Sequence, residues 1–213
     1  MGLPAILWGG RRWVLSSICL FVVGALMGWA ASQADPELLL DQLAPIVERI
    51  GGLGQQVTRA ESPGERAWII YRNNAQAVSV MMLAALVPVV GWLLPAMGML
   101  GNGALLGVVF GLGSRLTGRA VDPMQLFMGI APHGVIELPA IWLGAGWALR
   151  LGLRWLAPSA IGARWETWQQ CAKEAMIVLA LVMVLLGLAA FIEGNVTLAI
   201  VRSGAHAILL RSF

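Results

Sequence analysis

The chain reads as an all-α polytopic membrane protein of about five transmembrane helices with kinked and re-entrant elements. Three observations predict that class. Of 213 residues, 59% are hydrophobic and 12% charged, against about 25% charged in a soluble domain. No charged residue occurs between Arg72 and Arg115, a run long enough for two helices of about 20 residues. A third uncharged run separates Glu174 from Glu193.

The first apolar run, Trp13 to Ala31, follows Arg11 and Arg12. It resembles a signal peptide, with small residues at Ser32-Gln33-Ala34, but its roughly 19 residues exceed an h-region of about 7–15. A retained first transmembrane helix, 13–31, is the expectation. Its Gly24-x-x-x-Gly28 pattern lets another helix approach closely.

Residues 32–71 hold Asp35, Glu37, Asp41, Glu48, Glu61 and Glu65 against Arg49, Arg59 and Arg66, and belong outside the bilayer. Leu39, Leu43, Ile46, Val47 and Ile50 recur at helical spacing, so this extracytoplasmic segment contains an amphipathic helix. Pro45 counts against one straight helix, and Gly51-Gly52-Leu53-Gly54 predicts its end.

Four further spans fall in 72–194. One starts near Arg72 and runs towards Pro95, interrupted by Pro88 and Gly91. The next opens at Asn102, with Gly103, Gly107 and Gly111 forming a packing stripe. Asp122-Pro123-Met124-Gln125 reads as a helix start. A break at Pro132-His133-Gly134 would leave only about 12 Å of helix, short of a ~30 Å core, hence a re-entrant half-helix. A helix from Val135 to Trp155, kinked at Pro139, follows. Next comes an interfacial stretch with Trp165 and Trp168 on one face, then a last span from Ala175 to Ile192. Residues 195–213 form a tail. Chain and membrane domain coincide over 1–213.

Arginine and lysine placement orients the chain. Arg11, Arg12, Arg150, Arg154, Arg164 and Lys173 put the N-terminus in the cytoplasm of a bacterial cell, in the inner membrane, with the acidic segment outside. Arg115 and Arg119 depart from the rule. A net charge of +3, scattered along the chain, gives no case for nucleic acid. Cys19 and Cys171 have neither disulfide nor metal-ligand spacing. The Gly-rich run from Gly98 to Gly113 has no lysine, so it is not a phosphate loop.

Ionisable side chains at membrane depth mark functional candidates, and His133 and Glu137 stand about 40° apart on one helical face. They satisfy each other and the broken backbone, or handle a proton or solute, or ligate metal. Two ligands are too few for zinc, and the second histidine of His-Glu-x-x-His is missing, so no cofactor is expected and a metal stays a minor alternative. Asn73, Asn74 and Asn102 either cap and bridge helices or converge on His133 and Glu137 as a polar pocket. Glu193, just past the last span, reads as a solvated headgroup position.

Tyr71-Arg72-Asn73-Asn74, then Gly101-Asn102-Gly103, then Pro132-His133-Gly134-Val135-Ile136-Glu137-Leu138, in this order, resemble the stage II sporulation protein M family over roughly Ala67 to Gly194. The resemblance implies a membrane protein of about five spans. The founding member acts with a lytic transglycosylase and an endopeptidase-like partner in a complex that thins peptidoglycan during engulfment; relatives occur widely in organisms that make no spores. The family residues are Asn73, Asn74, Asn102, Gly103, His133, Gly134 and Glu137.

The functional expectation is a non-catalytic component of a cell-envelope complex whose partners are lipid and other envelope membrane proteins. The acidic outer segment and the Trp155 to Lys173 segment would be its docking surfaces. The alternatives are a transporter-like subunit with an intramembrane His/Glu site and an intramembrane metal-dependent hydrolase. The Gly-x-x-x-Gly faces permit a homodimer and equally serve packing within one chain.

Overall fold

The computed structural model describes residues 2–87, 90–117, 123–156 and 163–197, with side chains except at Val47, Ile50, 114–117, 123–133 and 196–197. All regular structure among them is helical: α1 (Leu3–Ala34), α2 (Pro36–Arg59), α3 (Pro63–Ala84), α4 (Leu93–Thr117), α5 (Pro123–Leu153), α6 (Arg164–Ile192) and a π-helical turn (Glu193–Thr197). By length and composition, three segments among the described residues can cross a membrane: Leu3–Ala34, Leu93–Gly113 and Arg164–Asn195. Their outward side chains suit lipid, with Leu26, Met27, Met176, Val184 and Phe191 all exposed.

Local chemistry sets several boundaries. Asp35 ends α1 and its carboxylate accepts from the Leu38 N–H at 3.0 Å, opening α2. Ser62 caps the start of α3: Glu65 N–H donates to Ser62 Oγ at 3.1 Å, and the Glu65 carboxylate accepts from Glu61 N–H, one residue before the cap, at 2.9 Å. The serine oxygen satisfies one of the donors that a helix start leaves open.

The tightest contact joins α1 to α4 through glycines on both. A Cβ at Gly24 would come within 2.1 Å of the Leu100 carbonyl oxygen, and one at Gly28 within 2.0 Å of that of Ala104. Reciprocally, a Cβ at Gly103 or Gly107 would meet the Phe21 or Ala25 oxygen at 2.0 Å. The two sets of residue numbers ascend together, so α1 and α4 are parallel. In lipid, where the hydrophobic effect does not drive helices together, such backbone approach supplies dispersion contact directly.

The remaining helices alternate around this pair. Gly10 lies under the Trp147 ring and Gly146 against Val14, while Ser17 Oγ donates to Trp142 O at 2.7 Å, so α5 is antiparallel to α1. Gly144 meets Val78 of α3 and Val182 of α6. The core there contains Val78, Met81, Met99, Trp147, Val178, Val182 and Leu186, each 5% exposed or less.

Several sequence expectations need correction. α5 continues unbroken through Pro132, His133, Gly134 and Pro139 for 31 residues, so there is no re-entrant half-helix. A proline removes one backbone hydrogen bond; α5 packs against α1, α3, α4 and α6, the kind of setting in which a membrane helix tolerates such a loss. α2 likewise runs through Pro45 and the three glycines as one helix of 24 residues; no described side chain on it is buried. The first helix exceeds 13–31 at both ends and takes in Arg11 and Arg12. The helix expected to start near Arg72 and run towards Pro95 is α3, which starts at Pro63 and stops at Ala84, and α4 begins at Leu93 rather than Asn102. The interfacial stretch and last span are one helix, α6. Pro88, Arg119, Asp122, the tail beyond Thr197 and the side chain of Arg115 lie outside the described residues.

The glycine interface makes a mutational prediction. Gly107→Val should lower stability by about 3 kcal/mol, the upper end of ordinary overpacking, read as the melting of the detergent-solubilised protein. Gly101→Ala is the control: a Cβ there meets nothing within 4 Å, and the change should raise stability by roughly 0.5–1 kcal/mol. Equal melting of both variants would remove the interface from this role.

Candidate functional site

Asn73 and Asn74 are neighbours on α3 and point about 100° apart, which sends them to different parts of the bundle. Asn74 faces α5 and α6, and its side chain hydrogen-bonds the half-buried Glu137 carboxylate. Glu193, in the π-helical turn, stands near enough to act on Glu137 electrostatically. Three elements thus contribute an amide and two carboxylates to one polar cluster.

Glu193, expected from sequence at a solvated headgroup position, is half-buried. It opens the π-helical turn, and π-helical turns are frequent at functional sites. Gly194 is buried, where a Cβ would come 2.9 Å from Pro63 O, and its carbonyl accepts from Arg66 Nε at 3.2 Å. Asn195 Nδ2 donates to Phe191 O at 2.8 Å. The start of α3 and the end of α6 are therefore tied together directly beside Glu193.

Asn73 and Asn102 do not join Glu137. Asn73 Nδ2 donates to Asn74 Oδ1 at 3.3 Å, Asn102 Nδ2 donates to Gly98 O at 2.9 Å, and both line a separate cavity between α2, α3 and α4. Gly103, Gly107 and Gly111 all face α1; a Cβ at Gly111 would collide with the Ser32 side chain. Gly134 is buried and Pro139 exposed. The side chains of Pro132 and His133 lie outside the described residues, so the pairing of His133 with Glu137 does too. No group of three or more His, Cys, Asp or Glu able to hold a metal occurs among the described residues.

Sequence reasoning missed the opposite end of the bundle. Arg150 Nη1 and Glu174 Oε2 form an ion pair at 2.7 Å, Gln170 Nε2 donates to Glu174 Oε1 at 3.1 Å, and the Arg150 guanidinium lies 4.2 Å from the centroid of the Trp147 ring. Glu174 is only 6% exposed, and Cys171 is buried alongside. Trp165 and Trp168 stack at 5.2 Å, and Trp155 joins them at 6.2 and 5.7 Å. Arginine and glutamate flanking two apolar runs read only as topology markers, because nothing in a linear sequence pairs residue 150 with residue 174.

A family profile described as stage II sporulation protein M matches residues 17–198. The chain belongs to the stage II sporulation protein M family. No curated protein and no solved structure matches it. The matched span contains the α1–α4 glycine interface, the Asn74, Glu137 and Glu193 cluster and the Arg150–Glu174 pair. This is a family of membrane proteins rather than a known enzyme family.

Breaking the buried pair from one side should be costly. Arg150→Met is expected to destabilise by about 3 kcal/mol, since Glu174 is then left buried without its cation. Arg150→Met combined with Glu174→Leu should recover most of that loss. A thermal-melting double-mutant cycle in detergent reads the coupling; additive losses would mean the pair is not energetically linked.

Proposed function

We propose that the protein is a non-catalytic component of the bacterial inner membrane that assembles envelope partners, with α2 as its extracytoplasmic docking helix. The observation that carries this reading is α2 itself. It is a charged, amphipathic helix joined to α1 and α3, none of whose described side chains is buried, so its outer face is free for another protein. The family to which the chain belongs favours an envelope role of the peptidoglycan-remodelling type.

In this reading α1, α3, α4, α5 and α6 all cross the bilayer, with the N-terminus in the cytoplasm. Their alternating directions favour it: α1, α4 and α6 point one way, α3 and α5 the other. Arg11 and Arg12 then share the cytoplasmic side with Arg150 and Arg154, which agrees with positive-inside bias. The tryptophan cluster of Trp155, Trp165 and Trp168 lies at the same end and suits an interfacial position.

The Asn74, Glu137 and Glu193 cluster favours a second reading, a transporter-like subunit in which the carboxylates carry a proton or cation through the bundle. Carboxylates at membrane depth are costly and facing the bundle interior is their usual place in relays.

Two experiments separate these readings. Photocrosslinking residues placed at Asp41 and Glu48 of α2, both exposed, should yield a discrete envelope-protein adduct in living cells. Adducts no stronger than those from Leu26 or Phe191, which face outward from α1 and α6, would count against docking by α2. Glu137→Gln, which keeps shape and removes charge, should leave those adducts intact under the assembly reading. Proton or cation flux into proteoliposomes that this variant abolishes, with melting unchanged, would transfer the assignment to transport.

A further inference from the structure

The cavity between α2, α3 and α4 has a volume of about 480 Å³, and its polar lining includes Arg49, Gln56, Arg72, Asn73, Gln76 and Asn102. An adjoining cavity of about 300 Å³ shares Arg49, Asn73, Gln76 and Asn102. No carboxylate lines either one. Neither Arg49 nor Arg72 has an ion-pair partner among the described residues, although the chain carries acids on both sides of the cavity in sequence.

The cavity lies towards one end of the bundle. Asn102 lies on α4 between Leu100 and Ala104, the residues that meet Gly24 and Gly28 of α1. On α1 those glycines stand three turns and more beyond Arg12 and about two to three turns short of Asp35, so the cavity opens within the Asp35 half of the bundle. Arg49 and Arg72 both line it with no carboxylate beside them, two like charges that an anion between them would satisfy. The apolar residues Ile46, Leu53, Ile69 and Leu105 complete the lining, so the cavity offers a cationic, amide-rich head and apolar walls.

We propose that this cavity binds a phosphate-bearing anionic group. Arg49 and Arg72 would supply the charge-assisted, forked hydrogen bonds that guanidinium makes to phosphate oxygens. The amides of Gln56, Gln76 and Asn102 have further N–H groups to donate. A phospholipid headgroup and a soluble phosphate share this chemistry. Asn73 connects the cavity to the carboxylate cluster: it lines the cavity and donates to Asn74, whose side chain hydrogen-bonds Glu137. An anion in the cavity therefore sits one amide away from the residues on the far side of α3.

The test uses the full chain in a non-ionic detergent, titrated with phosphatidylglycerol, with diacylglycerol of the same acyl chains, and with inorganic phosphate. Native mass spectrometry reads bound molecules. Phosphatidylglycerol should be retained in preference to diacylglycerol, and Arg49→Gln with Arg72→Gln should weaken it about tenfold or more, the scale of one lost charge-assisted hydrogen bond. Arg59→Gln, an exposed arginine of α2 outside the cavity, should leave it unchanged. Asn102→Asp, which puts a like charge into the cavity, is a second route to the same loss if the double variant melts early. Competition by millimolar inorganic phosphate would identify a soluble-anion site, and none would identify a headgroup site; both support the proposal. Equal retention of phosphatidylglycerol and diacylglycerol, or equal binding by wild type and the Asn102→Asp variant with intact melting, overturns it.

Discussion

The contact between the glycine faces of α1 and α4 is the constraint on which the other helices depend. Gly24, Gly28, Gly103 and Gly107 each lie so close to a facing carbonyl that a single methyl group would collide with it. The requirement is mutual, since both helices must present small residues in the same register. It also fixes direction: only a parallel pair brings 21 to 103 and 25 to 107 together. With two helices parallel, any helix that joins them in sequence must return, and α3 does so. α5 then runs against α1 and α6 against α5, held by Ser17 on the Trp142 carbonyl and by the Arg150–Glu174 pair.

Polar side chains are distributed at the two ends of this framework in different ways. At the end shared by the N-terminus of α1 and the C-terminus of α5, Arg150 is held by the Glu174 carboxylate and by the Trp147 ring. At the other end both faces of α3 carry charge. Arg49 and Arg72 line the cavity towards α2 and α4, while Glu137 and Glu193 lie on the other face, where Arg66 reaches the Gly194 carbonyl. Asn73 and Asn74, one residue apart, are the hydrogen-bonded bridge between them.

Much of the architecture was legible from the order of residues, and the failures share one physical origin. Membrane character followed from charge-free runs, and the glycine stripe on α4 from spacing alone. The partner of that stripe was not legible, because Gly24-x-x-x-Gly28 fits another copy of the chain as well as α4. The break at Pro132-His133-Gly134 was expected from local preference, but α5, packed against four other helices, continues through it. The expected polar pocket divided in two because adjacent residues on a helix point in different directions: Asn74 reached Glu137, and Asn73 and Asn102 went elsewhere. The π turn that carries Glu193 was invisible in a sequence that otherwise reads as the end of a span.

The parallel pairing of α1 with α4 also bears on how the chain is made. Gly28 has to wait for Ala104, and at about 5–20 residues per second the interval is on the order of ten seconds. Throughout it the first helix stands in the bilayer with its narrowest face turned to lipid, equally ready for the same helix of a neighbouring nascent chain. Translation speed, and whatever shields the first helix during that interval, therefore decides how many chains close on themselves.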